Sequence, residues 1–136
     1  MQHGFTEIDV QVEDNLIIVK PDGAFNLEGV REYESKFLKH VKSFGDKTWG
    51  ILNVYDTYET GGPEVQERVH FQFNWSCENG CAFLGFVVNN PLHEYAARIT
   101  TKDIKNLKEM RIFRDHEEAL NWIRAAIAEA NAVKES

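Results

Sequence analysis

The chain has 136 residues, 43% of them hydrophobic and 27% charged, which suits one globular domain with a core of its own. Its 22 acids against 15 bases leave a net charge of −7, which disfavours binding to nucleic acid or to an anionic membrane surface. "MQHGFTEIDV" offers neither a basic start nor an apolar run, so no export signal is expected. No segment approaches the ~20 apolar residues of a membrane span, so no membrane insertion is expected. With two cysteines only, the cytoplasm is the expected compartment.

"FTEIDVQVED" alternates, with Ile8, Val10 and Val12 on one side, as a half-exposed strand does. Asp14-Asn15 gives a tight turn, and "LIIVKPDG" follows as a second strand, so the two form an antiparallel hairpin. "NLEGVREYESKFLKHVKSFG" reads as a helix with Val30, Tyr33, Phe37, Val41 and Phe44 inward, Asn26 as N-cap and Gly45 as the stop. "TWGILNVYD" is the third strand.

"VQERVHFQFNWSCENGC" has two readings. Val69, Phe71, Phe73 and Trp75 alternate, and Asn79-Gly80 is a hairpin signal. Against that, Pro63 is preset for a first helical position, and Val65, Val69, Phe73 and Cys77 recur every four residues. The next stretch, "AFLGFVVN", is apolar enough to be covered on both faces, which calls for crossover helices. The helix is therefore preferred. Phe71 and Trp75 then lie nearly opposite Val69, Phe73 and Cys77, and make a candidate interface.

"PLHEYAARIT" places Leu92, Tyr95, Ala96 and Ile99 on one helical face. "EMRIF" is a short fifth strand. "RDHEEALNWIRAAIAEANA" opens with Asp115-x-x-Glu118 as a capping box and turns Leu120, Ile123, Ala126, Ile127 and Ala130 inward; the tail after Ala132 is expected to fray. The sum is α/β: a mostly parallel five-stranded sheet with an N-terminal antiparallel hairpin and four helices, in a single domain spanning 1–136. Each crossover is expected to be right-handed.

This order resembles the STAS domain and, more closely, the SpoIIAA-like family. The likeness rests on "HFQFNWSCENGCAFLGFVV", on "LIIVKPDGAFNLEGVREY", and on "EMRIFRDHEEALNWI" with Phe113, Ala119, Leu120 and Trp122. The resemblance implies a compact domain that binds or regulates, with no common reaction. Anti-sigma antagonists of the wider group carry a phosphorylatable hydroxyl in an Asp-Ser-Ser-Gly-like turn. Here Thr60 is the nearest hydroxyl; the Ser-Ser pair is absent, and Glu59 and Glu64 crowd it. The family's likeness to CRAL-TRIO lipid-binding domains supplies the alternative, a carrier or sensor of an apolar small molecule.

The loop "YDTYETGGPEV" should lie at the C-terminal end of a parallel strand, where open α/β sheets place their crevices. It is expected to be a solvated connection. If it contacts a ligand, Asp56, Tyr58 and Thr60 share that rim with Asn89 and His93 after the fourth strand and with His116 after the fifth. A phosphate cradle is disfavoured, because Pro63 has no N–H and Asp56, Glu59 and Glu64 repel an anion. Cys77 and Cys81 are four apart, and the five histidines fall in no paired motif, so no metal or other cofactor is expected. No nucleophile motif accompanies His93, and no catalytic residue is assigned. The expected function is a non-catalytic binding or regulatory module, working through a protein partner or as a homodimer. An enzyme with an unrecognised site is the third reading.

Overall fold

The computed structural model describes residues 7–23 and 27–135. The elements in order are β1 (Glu7–Glu13), β2 (Leu16–Asp22), α1 (Leu27–Ser43), β3 (Trp49–Val54), α2 (Pro63–Glu78), β4 (Cys81–Val87), α3 (Pro91–Thr101), β5 (Glu109–Phe113) and α4 (His116–Glu135). The hairpin closes as expected: Glu13 pairs with Leu16 across Asp14-Asn15, and Asp14 takes a positive φ of 49°. Gly45, at φ 59°, follows the end of α1 in the left-handed conformation that a helix stop favours. Asn26, the expected N-cap of α1, lies outside the described residues. At the other end, α4 stays helical through Glu135 instead of fraying after Ala132. Asn131 both donates to the Thr48 carbonyl and accepts from the Thr48 N–H, each at 2.9 Å, and Lys134 donates to the Asp46 carbonyl.

The sheet runs β1-β2-β3-β4-β5, with β1 antiparallel to β2 and the rest parallel. Because each new parallel strand is added on the same side of the last, crossovers of one hand put α1, α2 and α3 on one face. That face holds the larger core, built from Ile17, Phe37, Trp49, Ile51, Phe73 and Phe86 among others. Only α4 is left for the opposite face, where Leu120, Ile123 and Ile127 meet Leu16, Leu52, Val54 and Phe83. β4 lies between the two layers, which is why its sequence is apolar almost throughout. Glycine lets α4 sit close: a Cβ at Gly50 would come within 3.0 Å of the Phe83 carbonyl oxygen and 3.1 Å of the Ile127 Cδ1.

The segment with two readings is helix. In α2, Val65, Gln72, Phe73, Ser76 and Cys77 are buried, and Pro63 occupies the first turn. Asn79-Gly80 turns the chain from α2 into β4 instead of closing a hairpin.

Of the α3 face read from the sequence, only Ala96 is buried. The helix buries His93, Ala96, Ala97, Thr100 and Thr101, while Leu92, Tyr95 and Ile99 face solvent. The small residues let α3 sit close to the sheet and α2. The threonine hydroxyls donate to the Ala96 and Ala97 carbonyls, at 2.7 and 2.8 Å, so neither hydroxyl is stranded by burial.

Candidate functional site

The β3–α2 loop is not merely a solvated connection. Tyr55, Tyr58 and Thr60 are buried, and only Asp56, Thr57, Glu59 and Gly62 among residues 55–62 are exposed. The tyrosines turn inward because the sheet's C-terminal edge leaves apolar space above Phe86; the Tyr55 and Tyr58 rings lie 4.6 Å apart, and Tyr55 meets Phe86 edge-on at 5.6 Å. The loop backbone is tied down as well. Glu59 N–H donates to the Gly23 carbonyl at 2.8 Å, and Gly23 N–H donates to the Thr57 carbonyl at 3.1 Å.

His93 holds this loop to the β4–α3 turn. Its ring is fully buried. Asn89 N–H donates to Nδ1 at 3.1 Å, which places the ring proton on Nε2, and Nε2–H donates to the Tyr58 carbonyl at 2.6 Å. The His93 backbone N–H donates to Asn90 Oδ1 at 2.9 Å, the N-cap of α3. Asn89 completes the connection on the surface, donating from Nδ2 to Asp56 Oδ1 at 3.3 Å.

Of the six rim residues expected from sequence, the structure brings Asp56, Tyr58, Asn89 and His93 into one hydrogen-bonded cluster. Thr60 sits in the same loop, buried, with a positive φ of 58°. His116 is exposed at the start of α4, the helix that packs on the other face. The expected rim therefore splits. Tyr58, Thr60 and His93 are interior, and Asp56, Asn89 and His116 reach solvent. A kinase would reach Thr60 only after this loop opened.

Behind the loop, Tyr33, Asn53, Tyr55, Tyr58 and Gln72 surround a small cavity of about 30 Å3, room for a water molecule or two. Asn53 Nδ2 donates to the Gly85 carbonyl at 3.2 Å, and Gln72 Nε2 to Ser76 Oγ at 3.3 Å. Gln72 Oε1 has no hydrogen-bond partner among the described residues, although Gln72 stands against the Tyr33 hydroxyl. Burial holds the Tyr33, Tyr55 and Tyr58 phenols well above their ordinary range. These groups are poised as hydrogen-bond donors, not as bases. The pattern of apolar residues could not have found this cluster, because Tyr33 and Gln72 come from α1 and α2 and meet only when those helices pack.

Cys77 and Cys81 are free and buried, and burial raises the Cys81 thiol well above its usual range. No group of three or more metal-ligating side chains occurs among the described residues. The candidate interface residues separate. Phe71 is 55% exposed on the outer surface of α2, with the Arg68 guanidinium 4.6 Å from its ring centre. Trp75 is half-buried against the core, in the groove between α1 and α2 that Leu38 and Phe71 also line.

No protein-family model matches the chain, and no curated protein does. A solved structure shares the architecture: an uncharacterized protein from the DUF3478 family of Shewanella loihica PV-4, described as having a SpoIIAA-like fold. It is 12% identical, with a TM-score of 0.68, and the match covers 90% of this chain and 97% of that one. The fold is SpoIIAA-like. At that identity the likeness extends to the fold alone. Within the SpoIIAA-like fold, the hairpin, the one-sided run of three helices and the lone C-terminal helix are the features described above. No helix among the described residues is long and apolar enough to cross a membrane.

Proposed function

We propose that the chain is a non-catalytic binding or regulatory module that works through protein–protein contacts on its three-helix face, as a homodimer. One observation carries this reading. Among the described residues seven large apolar side chains are exposed, and five of them, Leu38, Phe71, Leu92, Tyr95 and Ile99, belong to α1, α2 and α3. Apolar side chains concentrated on one face mark a contact surface more often than the same number scattered singly. Phe71 and Leu38 supply the open part of the α1–α2 groove, which measures about 140 Å3, while Trp75 forms its floor. The polar cluster around His93 supports binding over catalysis, because its ring nitrogens are both engaged by backbone groups.

The cavity behind Tyr55 and Tyr58 is about 30 Å3 and the α1–α2 groove about 140 Å3, both below the roughly 300 Å3 usual for ligand pockets, and the hollows of about 670 and 680 Å3 beside Trp122 and Arg31 are open and edged by charged side chains, which gives the apolar-carrier alternative little support. Sedimentation and native mass spectrometry of the purified protein at about 100 μM test both readings. A dimer mass without retained ligand is expected. A monomer at that concentration refutes self-association, and a co-purifying apolar molecule reverses the ranking.

A further inference from the structure

Helix α3 carries its apolar row on the side away from the core. Leu92, Tyr95 and Ile99 are 53%, 60% and 39% exposed. Spaced three and four apart, they stand in one line along an 11-residue helix. Together they open an apolar strip on the order of 300 Å2, a size that on a monomer is commonly functional. On one flank of the row, Glu94 and Arg98 form an exposed ion pair at 3.1 Å.

The row fits itself. A two-fold axis passing beside α3, at right angles to it and level with residues 95 and 96, lays a second copy antiparallel on the first. Leu92 then meets Ile99 of the partner subunit, and the two Tyr95 rings lie side by side at the axis. The same rotation keeps each flank on its own side, so Glu94 of each copy faces Arg98 of the partner subunit. The charges thus complement one another under the same symmetry that matches the apolar groups, as a closed two-fold contact requires. We propose that the outer face of α3 is an antiparallel, two-fold seam for a second copy of this chain.

The seam rests on the reading of the chain as a homodimer, and the experiment separates the two. Tyr95→Cys should cross-link to a covalent dimer under mild oxidation, since residue 95 stands opposite itself and the native Cys77 and Cys81 are buried. Glu94→Arg and Arg98→Glu should each weaken the dimer about tenfold by sedimentation, with helicity by circular dichroism unchanged. The double variant Glu94→Arg/Arg98→Glu should restore it. A dimeric wild type whose Tyr95→Cys form does not cross-link, and whose single charge variants stay dimeric, overturns the seam while leaving self-association standing. A monomeric wild type overturns both. A monomer that floats with phosphatidylserine vesicles through Tyr95, losing flotation on Tyr95→Asp, assigns the strip to a membrane surface and likewise overturns the seam.

Discussion

Replacing His93 by alanine should destabilise the protein more than its place in a short turn suggests. The imidazole is fully buried and makes two hydrogen bonds to backbone groups, one from Asn89 N–H and one to the Tyr58 carbonyl. Removing it takes a short hydrogen bond from the Tyr58 carbonyl, at a cost of about 1–3 kcal/mol for a weakened buried polar group. It also leaves a hole beside Tyr55, whose ring centre lies 5.8 Å from the imidazole. The space adds to the penalty in proportion to how little the neighbours collapse. A total near 3 kcal/mol is expected, read from equilibrium urea unfolding at constant slope. His93→Phe separates the contributions, since it fills most of the volume yet cannot donate to that carbonyl; it should recover the packing part only. Hydrogen exchange gives a local readout: the Glu59 amide, bonded to the Gly23 carbonyl, should lose protection in His93→Ala before the sheet amides do. A loss below about 0.5 kcal/mol, the range of ordinary surface positions, would refute the account of His93 as the tie between the two loops.

Thr60 should distinguish strain from packing: Thr60→Gly relieves a β-branched residue at φ 58°, worth about 1–2 kcal/mol, and should come out neutral or stabilising. Thr60→Ala keeps most of the strain, loses buried contact and should be destabilising in the same urea series. Gly50→Ala should cost about 1–3 kcal/mol by overpacking against α4, and an unchanged melting temperature would show that α4 can lift off without penalty. The buried Tyr33, Tyr55 and Tyr58 phenols, raised above the ordinary value of about 10, should stay un-ionised at pH 11 in an absorbance titration near 295 nm until the protein unfolds. The unfolded chain releases those protons first, so their contribution to stability is complete below about pH 10 and falls as pH rises past it. Early ionisation of all three without loss of structure would contradict their burial.

The strands, the helices and their order could be read from local pattern, because apolar period and end signals act over a few residues. The alternation of Ile8, Val10 and Val12, the four-residue recurrence of Val65, Val69, Phe73 and Cys77, and the unbroken run of β4 each reflect how an element meets water on its own. What pattern could not decide was which face of an amphipathic element turns inward when its core side is small. In α3, Leu92, Tyr95, Ala96 and Ile99 read as one face, but close packing against the sheet and α2 buries only Ala96 of them, together with Ala97 and the self-satisfied threonines. The loop from Tyr55 to Gly62 reads as polar by composition. Its burial depends on His93, which is 35 residues from Tyr58 in the chain and reaches the Tyr58 carbonyl only after β3 and β4 pair. Element identity is local chemistry. The polarity of α3 and the position of the loop follow from tertiary contacts between residues far apart in the chain, which no window along the sequence contains.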